Sequence, residues 1–189
     1  MSNWEAIAMS LSIAYLLLAI KQNLWCWVAA FFSTLIYAII FFDVALLMDS
    51  ALNVYYLVMA LYGWYSWRYG NKLKEKELVV TSYGLKRNIQ IILVLSVISS
   101  IFGFIMDTYT HADFAYIDSF TTVFAVFSTY MLAKKVLENW IYWIVIDAIS
   151  IYIYIQKDLN LTAVLFAIYT ALAFVAYLKW KKDYEYQKA

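Results

Sequence analysis

Charged residues are so sparse in this chain that they divide it into seven apolar runs. The runs cover residues 6–20, 24–42, 44–67, 89–106, 117–133, 140–155 and 161–180. A helix needs about 20 mostly apolar residues to cross a bilayer, and shorter runs draw their polar flanks into the interface. Four Gly and no Pro are too few turn residues for the many short strands of a β-barrel. The pattern predicts an all-α membrane protein with seven transmembrane helices.

The composition excludes several other classes of protein. Of the 189 residues, 66% are hydrophobic and 14% are charged, whereas soluble domains carry about 25% charged residues. A net charge of +1 does not fit a nucleic-acid partner, and the single Cys26 excludes a disulfide scaffold. The expected surroundings are therefore a lipid bilayer.

Basic residues predict the orientation of the chain. Thirteen of the fourteen Lys and Arg lie in alternate connections and the C-terminal tail, and Lys157 is the exception. Because cytoplasmic loops carry the excess of Lys and Arg, the N-terminus is expected outside and the C-terminus in the cytoplasm.

Seven helices also suggest two repeats of three helices joined by one linker helix. The expected units are a first repeat at 6–67, a basic cytoplasmic loop at 68–88, a linker helix at 89–106, a second repeat at 117–180 and a tail at 181–189. A shift of 116 residues pairs Asn23 with Asn139, Trp27 with Trp143, Thr34 with Ser150, and Trp64 with Trp180. An odd linker gives the two repeats the same direction, as in the parallel repeats of SWEET transporters.

Polar residues within the predicted spans are the candidate site, because ionisable groups at membrane depth are costly. Trp140, Trp143, Asp147 and Tyr154 share one face of the sixth helix. Two indoles and a carboxylate suit a flat cationic ring through stacking, cation–π attraction and charge pairing. The alternative is that the Trp residues anchor the helix at the interface and Asp147 pairs within the bundle.

A second polar stripe lies on the third predicted helix. Asp49, Asn53 and Tyr56 follow one another at helical spacing and either line the pocket or hydrogen-bond between helices. The repeat adds Trp27 and Asn139 as candidate binding residues. The aromatic run at 63–68 is interpreted as an interfacial belt.

Catalytic and metal chemistry find little support in the sequence. His111, the only histidine, lies near Asp107 and Asp113 in an external loop, where a solvated role is expected. The chain has no phosphate-binding loop and no nucleophile elbow. We therefore expect no enzyme, no metal and no cofactor.

Several segments resemble the PnuC family of bacterial vitamin transporters. They are Phe41-Phe42-Asp43, residues 52–56 and 62–67, and most specifically the Glu-Asn-Trp-x-x-Trp run that begins at Glu138 and continues to Asp147. The resemblance implies a SWEET-like plan of three, one and three helices, a homotrimer in the inner membrane, and facilitated diffusion with trapping by a cytoplasmic vitamin kinase.

Two positions depart from the nicotinamide riboside pattern of this family. Members that carry nicotinamide riboside resemble this chain but have Asn where Asp147 stands and Gln where Asn53 stands. Asn donates and accepts hydrogen bonds, whereas an ionised Asp only accepts. The altered pocket favours thiamine, the substrate of the PnuT branch, and nicotinamide riboside is the alternative.

Overall fold

None of the apolar runs contains Pro. Each can therefore form a helix, which pairs its backbone groups within the segment as a membrane requires. The computed structural model describes residues 3–43, 47–70, 78–110, 114–156, 158 and 160–188. These residues form seven helices, α1 Asn3–Ile20, α2 Cys26–Asp43, α3 Leu47–Tyr69, α4 Gly84–Tyr109, α5 Ala115–Ala133, α6 Asn139–Gln156 and α7 Asn160–Lys188. The other feature is an isolated bridge between Thr81 and Val136.

Two helices extend well beyond their apolar runs. α4 begins before residue 89 and ends after residue 106, and α7 continues eight residues past Trp180. Within the described ranges, Gly84–Tyr109 and Thr162–Gln187 are each long and apolar enough to cross a membrane, with mean hydropathies of 2.5 and 1.7. Trp4–Ile20 and Cys26–Ile40 are shorter apolar helices. Polar flanking turns therefore continue the helices instead of ending them at the first charge.

The helices pack into a closed ring of six. α2 contacts α1 and α3, and α6 contacts α5 and α7. The ring closes where α3 meets α5 and where α7 meets α1, while α4 packs on α5. Exchanging α1, α2 and α3 with α5, α6 and α7 maps this contact pattern onto itself. The ring therefore has an approximate two-fold axis through its centre.

The two halves correspond at a shift of 113 residues. Asn23 N–H donates to Leu18 O and Gln22 N–H to Ala19 O in the turn after α1. After α5, Val136 N–H donates to Met131 O and Lys135 N–H to Leu132 O. Gln22 and Lys135 both have left-handed backbones, with φ of 53° and 51°. These are matching Schellman turns, each with its left-handed residue just past the helix end.

The pairing at 116 residues predicted from the sequence is therefore wrong by three. In the observed register Trp27 corresponds to Trp140 and Trp67 to Trp180, whereas Trp64 is 38% exposed. The register differs because tryptophans spaced three or four apart can be matched in more than one way. Backbone geometry at the two turns distinguishes them.

The end of the ring where α1, α3, α5 and α7 finish is called the basic end. There the segment before α4 is fastened to the turn between α5 and α6. Thr81 N–H donates to Lys135 O and Leu137 N–H to Thr81 O, at 2.9 and 2.8 Å. The Glu138 carboxylate accepts from Ser82 Oγ and from two backbone N–H groups at the start of α4. Glu138 thus caps α4 from the turn before α6, satisfying donors that a helix start leaves open.

Candidate functional site

Four tryptophans meet across the two-fold axis near the basic end. This Trp quartet consists of Trp27, Trp67, Trp140 and Trp180, each at most 3% exposed. Within each half the rings meet edge to face, with centroids 5.4 Å apart for Trp27–Trp67 and for Trp140–Trp180. Trp67 and Trp180 join the halves at 6.0 Å. The quartet fills the centre of the ring, so an anchor role for Trp140 and a belt role for Trp67 are both wrong.

Two reciprocal hydrogen bonds lock the quartet to the opposite half. Trp67 Nε1 donates to Leu132 O at the end of α5, and Trp180 Nε1 donates to Ala19 O at the end of α1, both at 3.2 Å. Each acceptor is a carbonyl in the last turn of a helix, where intrahelical partners run out. The two halves are therefore joined at the basic end.

Three buried polar atoms around the quartet have no hydrogen-bond partner among the described residues. They are Trp27 Nε1, Trp140 Nε1 and Asn139 Oδ1. Asn139 is fully buried, and its amide nitrogen donates to Val136 O at 2.6 Å. A buried donor or acceptor without a partner costs about 1–3 kcal/mol. Two donors and one acceptor are thus available to a bound molecule or to water.

Asp147 lies deeper in the bundle than the quartet. It follows Trp140 by seven residues, about 10 Å along α6, and is 5% exposed. The hydroxyls of Tyr56 on α3 and Tyr169 on α7 are close enough to interact electrostatically with its carboxylate. These tyrosines are 113 residues apart and so occupy equivalent positions. The structure therefore places one carboxylate within electrostatic range of a symmetric pair of phenols.

The two halves differ at the positions beside this carboxylate. Trp143 is half-buried between the two apolar clusters of the bundle, and its counterpart is Ala30. The counterpart of Asp147 is Thr34, whose hydroxyl donates to Ala30 O on its own helix at 2.8 Å. At these two pairs of positions, the second repeat supplies a large aromatic face and a carboxylate, and the first repeat supplies Ala and Thr. A cationic ring would consequently bind off-centre, against α6.

The remaining predicted residues are less central. Asn53 is half-buried on α3, one turn from Tyr56. Tyr154 contacts Phe166 of α7, with centroids 4.9 Å apart, about 10 Å beyond Asp147. The side chain of Asp49 lies outside the described residues, as do His111 and Asp113.

Sequence reasoning missed Tyr169 and two lysines. Lys135 places its Nζ 4.6 Å from the centre of the Trp67 ring and is 5% exposed. Lys134 lies over Tyr62 and Tyr130, at 5.0 and 6.0 Å, and a hydrogen bond with the Tyr62 hydroxyl raises the pKa of Lys134. Tyr169 would have followed from Tyr56 in the 113-residue register.

Known proteins resemble this chain over most of its length. A family model described as "Nicotinamide mononucleotide transporter" matches residues 2–182. The nicotinamide riboside transporter PnuC of Escherichia coli strain K12 is 23% identical over 169 residues, covering 77% of this chain and 71% of that protein. The PnuC of Shigella flexneri matches equally well.

A solved structure shares the fold. The crystal structure of the vitamin B3 transporter PnuC superposes with a TM-score of 0.75 at 17% identity, covering 95% of this chain and 80% of that one. The predicted seven-helix fold is confirmed by this likeness, and the family consists of membrane transporters, not enzymes. With a family model matched from residue 2 to residue 182, the chain belongs to the PnuC family of membrane transporters.

Proposed function

We propose that this protein carries nicotinamide riboside across the bacterial cytoplasmic membrane. The observation that carries the proposal is the position of the half-buried Trp143 one turn before the buried Asp147 on one face of α6, within a fold whose relatives are named for nicotinamide riboside and vitamin B3. The substrate's pyridinium ring is flat and positively charged. Trp143 offers a π face and Asp147 an opposite charge, and both interactions strengthen away from water.

Thiamine is the second candidate substrate, and the sequence alone favours it. The buried carboxylate of Asp147 is the observation on its side, since thiamine is also an aromatic cation. The relatives favour nicotinamide riboside over thiamine, because they are named for nicotinamide riboside and vitamin B3.

The proposed mechanism is facilitated diffusion by rocking of the two halves around the fixed site. The basic end faces the cytoplasm in this proposal, in keeping with the positive-inside rule. The bonds from Trp67 and Trp180 to the opposite half then close the cytoplasmic side. Their opening releases the substrate, which a cytoplasmic kinase traps as its phosphate.

A homotrimer is part of the same proposal. α4 contacts only α5 among the described helices, and large apolar side chains on its other faces are exposed. Lipid and further copies of the chain are the apolar surroundings that such a surface requires. Native mass spectrometry in nanodiscs is expected to give three chains per particle, and a monomer would contradict the trimer.

The substrate is tested by side-by-side titration of the purified protein with nicotinamide riboside and thiamine, followed by Trp fluorescence. We expect saturable quenching by nicotinamide riboside at lower concentration than by thiamine. The reverse order would establish thiamine as the preferred ligand. Binding of neither cation would refute the proposed function.

A further inference from the structure

A lysine ammonium already rests on the Trp quartet. Lys135 Nζ lies 4.6 Å from the centre of the Trp67 ring, and the residue is 5% exposed. Lys135 occupies the left-handed position of the turn after α5, with φ of 51°. Burying a charge is expensive unless other groups compensate it, and the ring of Trp67 provides one such interaction. The sequence thus maintains a cation at the centre of an aromatic cluster.

The left-handed turn that holds Lys135 does not itself require a cation. The equivalent residue of the first half is Gln22, with the same left-handed backbone at φ of 53°. Its amide Nε2 donates to Asp183 Oδ2 of α7 at 2.7 Å. An uncharged residue therefore supports the same turn conformation.

The quartet lies between the proposed site and the basic end. Trp140 precedes Asp147 on α6 by about 10 Å, so a ring that leaves Asp147 towards the basic end meets the quartet next. Trp27 and Trp140 each keep a buried N–H group without a partner among the described residues. Aromatic faces with unused donors are suited to receive a ligand that carries acceptors, such as a carboxamide or a ribose.

We propose that Lys135 is a tethered competitor, a built-in cation that occupies the Trp quartet of the empty transporter and must yield to the cationic ring of the substrate. The proposal rests on the proposed function in taking the substrate to be an aromatic cation. Lys135 weakens the hold of the quartet on that ring, both by covering Trp67 and by charge repulsion. The ring consequently passes the quartet without being trapped there.

The test uses two probes of matched shape and different charge. 1-Methylnicotinamide is a pyridinium cation that quenches stacked indoles, and nicotinamide is its neutral counterpart. Trp quenching is measured with the full chain in nanodiscs for the wild type, Lys135→Gln and Lys134→Gln. Lys134→Gln is the control, because it removes the same charge from the same turn. In the wild type the Lys134 Nζ lies over Tyr62 and Tyr130 and not over a Trp ring of the quartet.

We expect Lys135→Gln to bind 1-methylnicotinamide roughly 3- to 30-fold more tightly, the range of one cation–π contact. Binding of nicotinamide should not change, and Lys134→Gln should match the wild type for both probes. Lys135→Arg keeps a cation and should also match the wild type. An unchanged affinity in Lys135→Gln, or an equal gain for the neutral probe, overturns the proposal.

Folding and function are separated by two further measurements. Lys135→Asn suits a left-handed backbone and replaces Lys135→Gln if that variant does not fold. Uptake of nicotinamide riboside by wild-type proteoliposomes tests the proposed function independently. A gain in probe affinity without such uptake supports the competitor and refutes the substrate. Uptake without a gain in affinity refutes the competitor alone.

Discussion

Asp147 is a buried carboxylate whose charge can be removed without changing its shape. We expect Asp147→Asn to weaken thiamine binding by about 1.5–3 kcal/mol, the range for a hydrogen bond to a charged group. The ratio of the two dissociation constants should shift towards nicotinamide riboside, whose carriers resemble this chain with Asn at that position. Isothermal titration with both cations measures this ratio.

The control for this substitution is Ser150→Ala on the same helix. The Ser150 hydroxyl donates to Ile146 O within α6, so its loss should leave both affinities unchanged. Trp143→Ala should weaken both ligands, because stacking hardly distinguishes the two rings. If Asp147→Asn binds both cations like the wild type while Trp143→Ala does not, Asp147 has a structural role only.

Gly63 is the contact point between α3 and the Trp27 ring. A Cβ atom at Gly63 would lie 2.4–2.5 Å from three atoms of that ring, so the indole would have to move. We expect Gly63→Ala to lower the free energy of unfolding by about 1–3 kcal/mol through overpacking. Thermal unfolding in detergent measures this change. The double variant Gly63→Ala with Trp27→Phe should lose less than the sum of the two single variants, and strict additivity would contradict the clash.

Some residues of the site could be predicted from sequence and others could not. Asp147, Trp140 and Trp143 could be predicted, because charge and aromatic side chains at helical spacing are visible within a single span. Trp67 could not be predicted, because its burial depends on the opposite half, which supplies its acceptor Leu132 O. Lys135 was missed for a similar reason, since a non-glycine residue with positive φ has no clear sequence signal.

At the level of elements, Glu138 is a cap that comes from outside its helix. Glu138→Ala removes the acceptor of Ser82 Oγ and of two backbone N–H groups before and at the start of α4. We expect a loss of about 1–3 kcal/mol in the free energy of unfolding, because these donors lose their partner. Thermal unfolding should show the effect. Glu185→Ala is the matched control, since its ion pair with Lys181 is long, at 4.0 Å, and exposed. Equal stability of the two variants would argue against the cap.

Helix identity was predictable from the apolar runs, and helix length was not. Charges near the ends of α4 and α7 predict helix boundaries there, yet Lys86 and Arg87 lie within α4 and Lys181 and Lys182 within α7. Lys and Arg are good helix formers, so they extend a helix into the interface. The repeat register failed for a different reason, because it is set by the turns at Gln22 and Lys135.

For the whole molecule, the proposed orientation can be tested with two exposed tyrosines at opposite ends. Tyr109 at the end of α4 is 79% exposed and Tyr186 near the end of α7 is 85% exposed. We expect a membrane-impermeant maleimide to label Tyr109→Cys but not Tyr186→Cys in intact spheroplasts. The only native thiol, Cys26, is fully buried and should give little background. The opposite labelling pattern would reverse the orientation.

If the proposed facilitated diffusion is correct, transport is equilibrative. In proteoliposomes we expect internal nicotinamide riboside to reach the external concentration and no more. Adding a vitamin kinase and ATP inside the vesicles should then raise total uptake as the phosphate. Accumulation of unmodified vitamin under an ion gradient would contradict facilitated diffusion.

In the proposed rocking mechanism, the attachment of α4 makes the two moving parts unequal in size. α4 packs on α5, and the Thr81 and Glu138 hydrogen bonds fasten its start to the turn before α6. α4 should therefore travel with the second repeat, so that four helices rock against three. The four-helix part also carries Trp143 and Asp147, so the substrate would stay bound to it while the three-helix part moves away. A carrier whose ring is nearly symmetric would in this way have a four-helix part that binds the substrate and a three-helix part that moves relative to it.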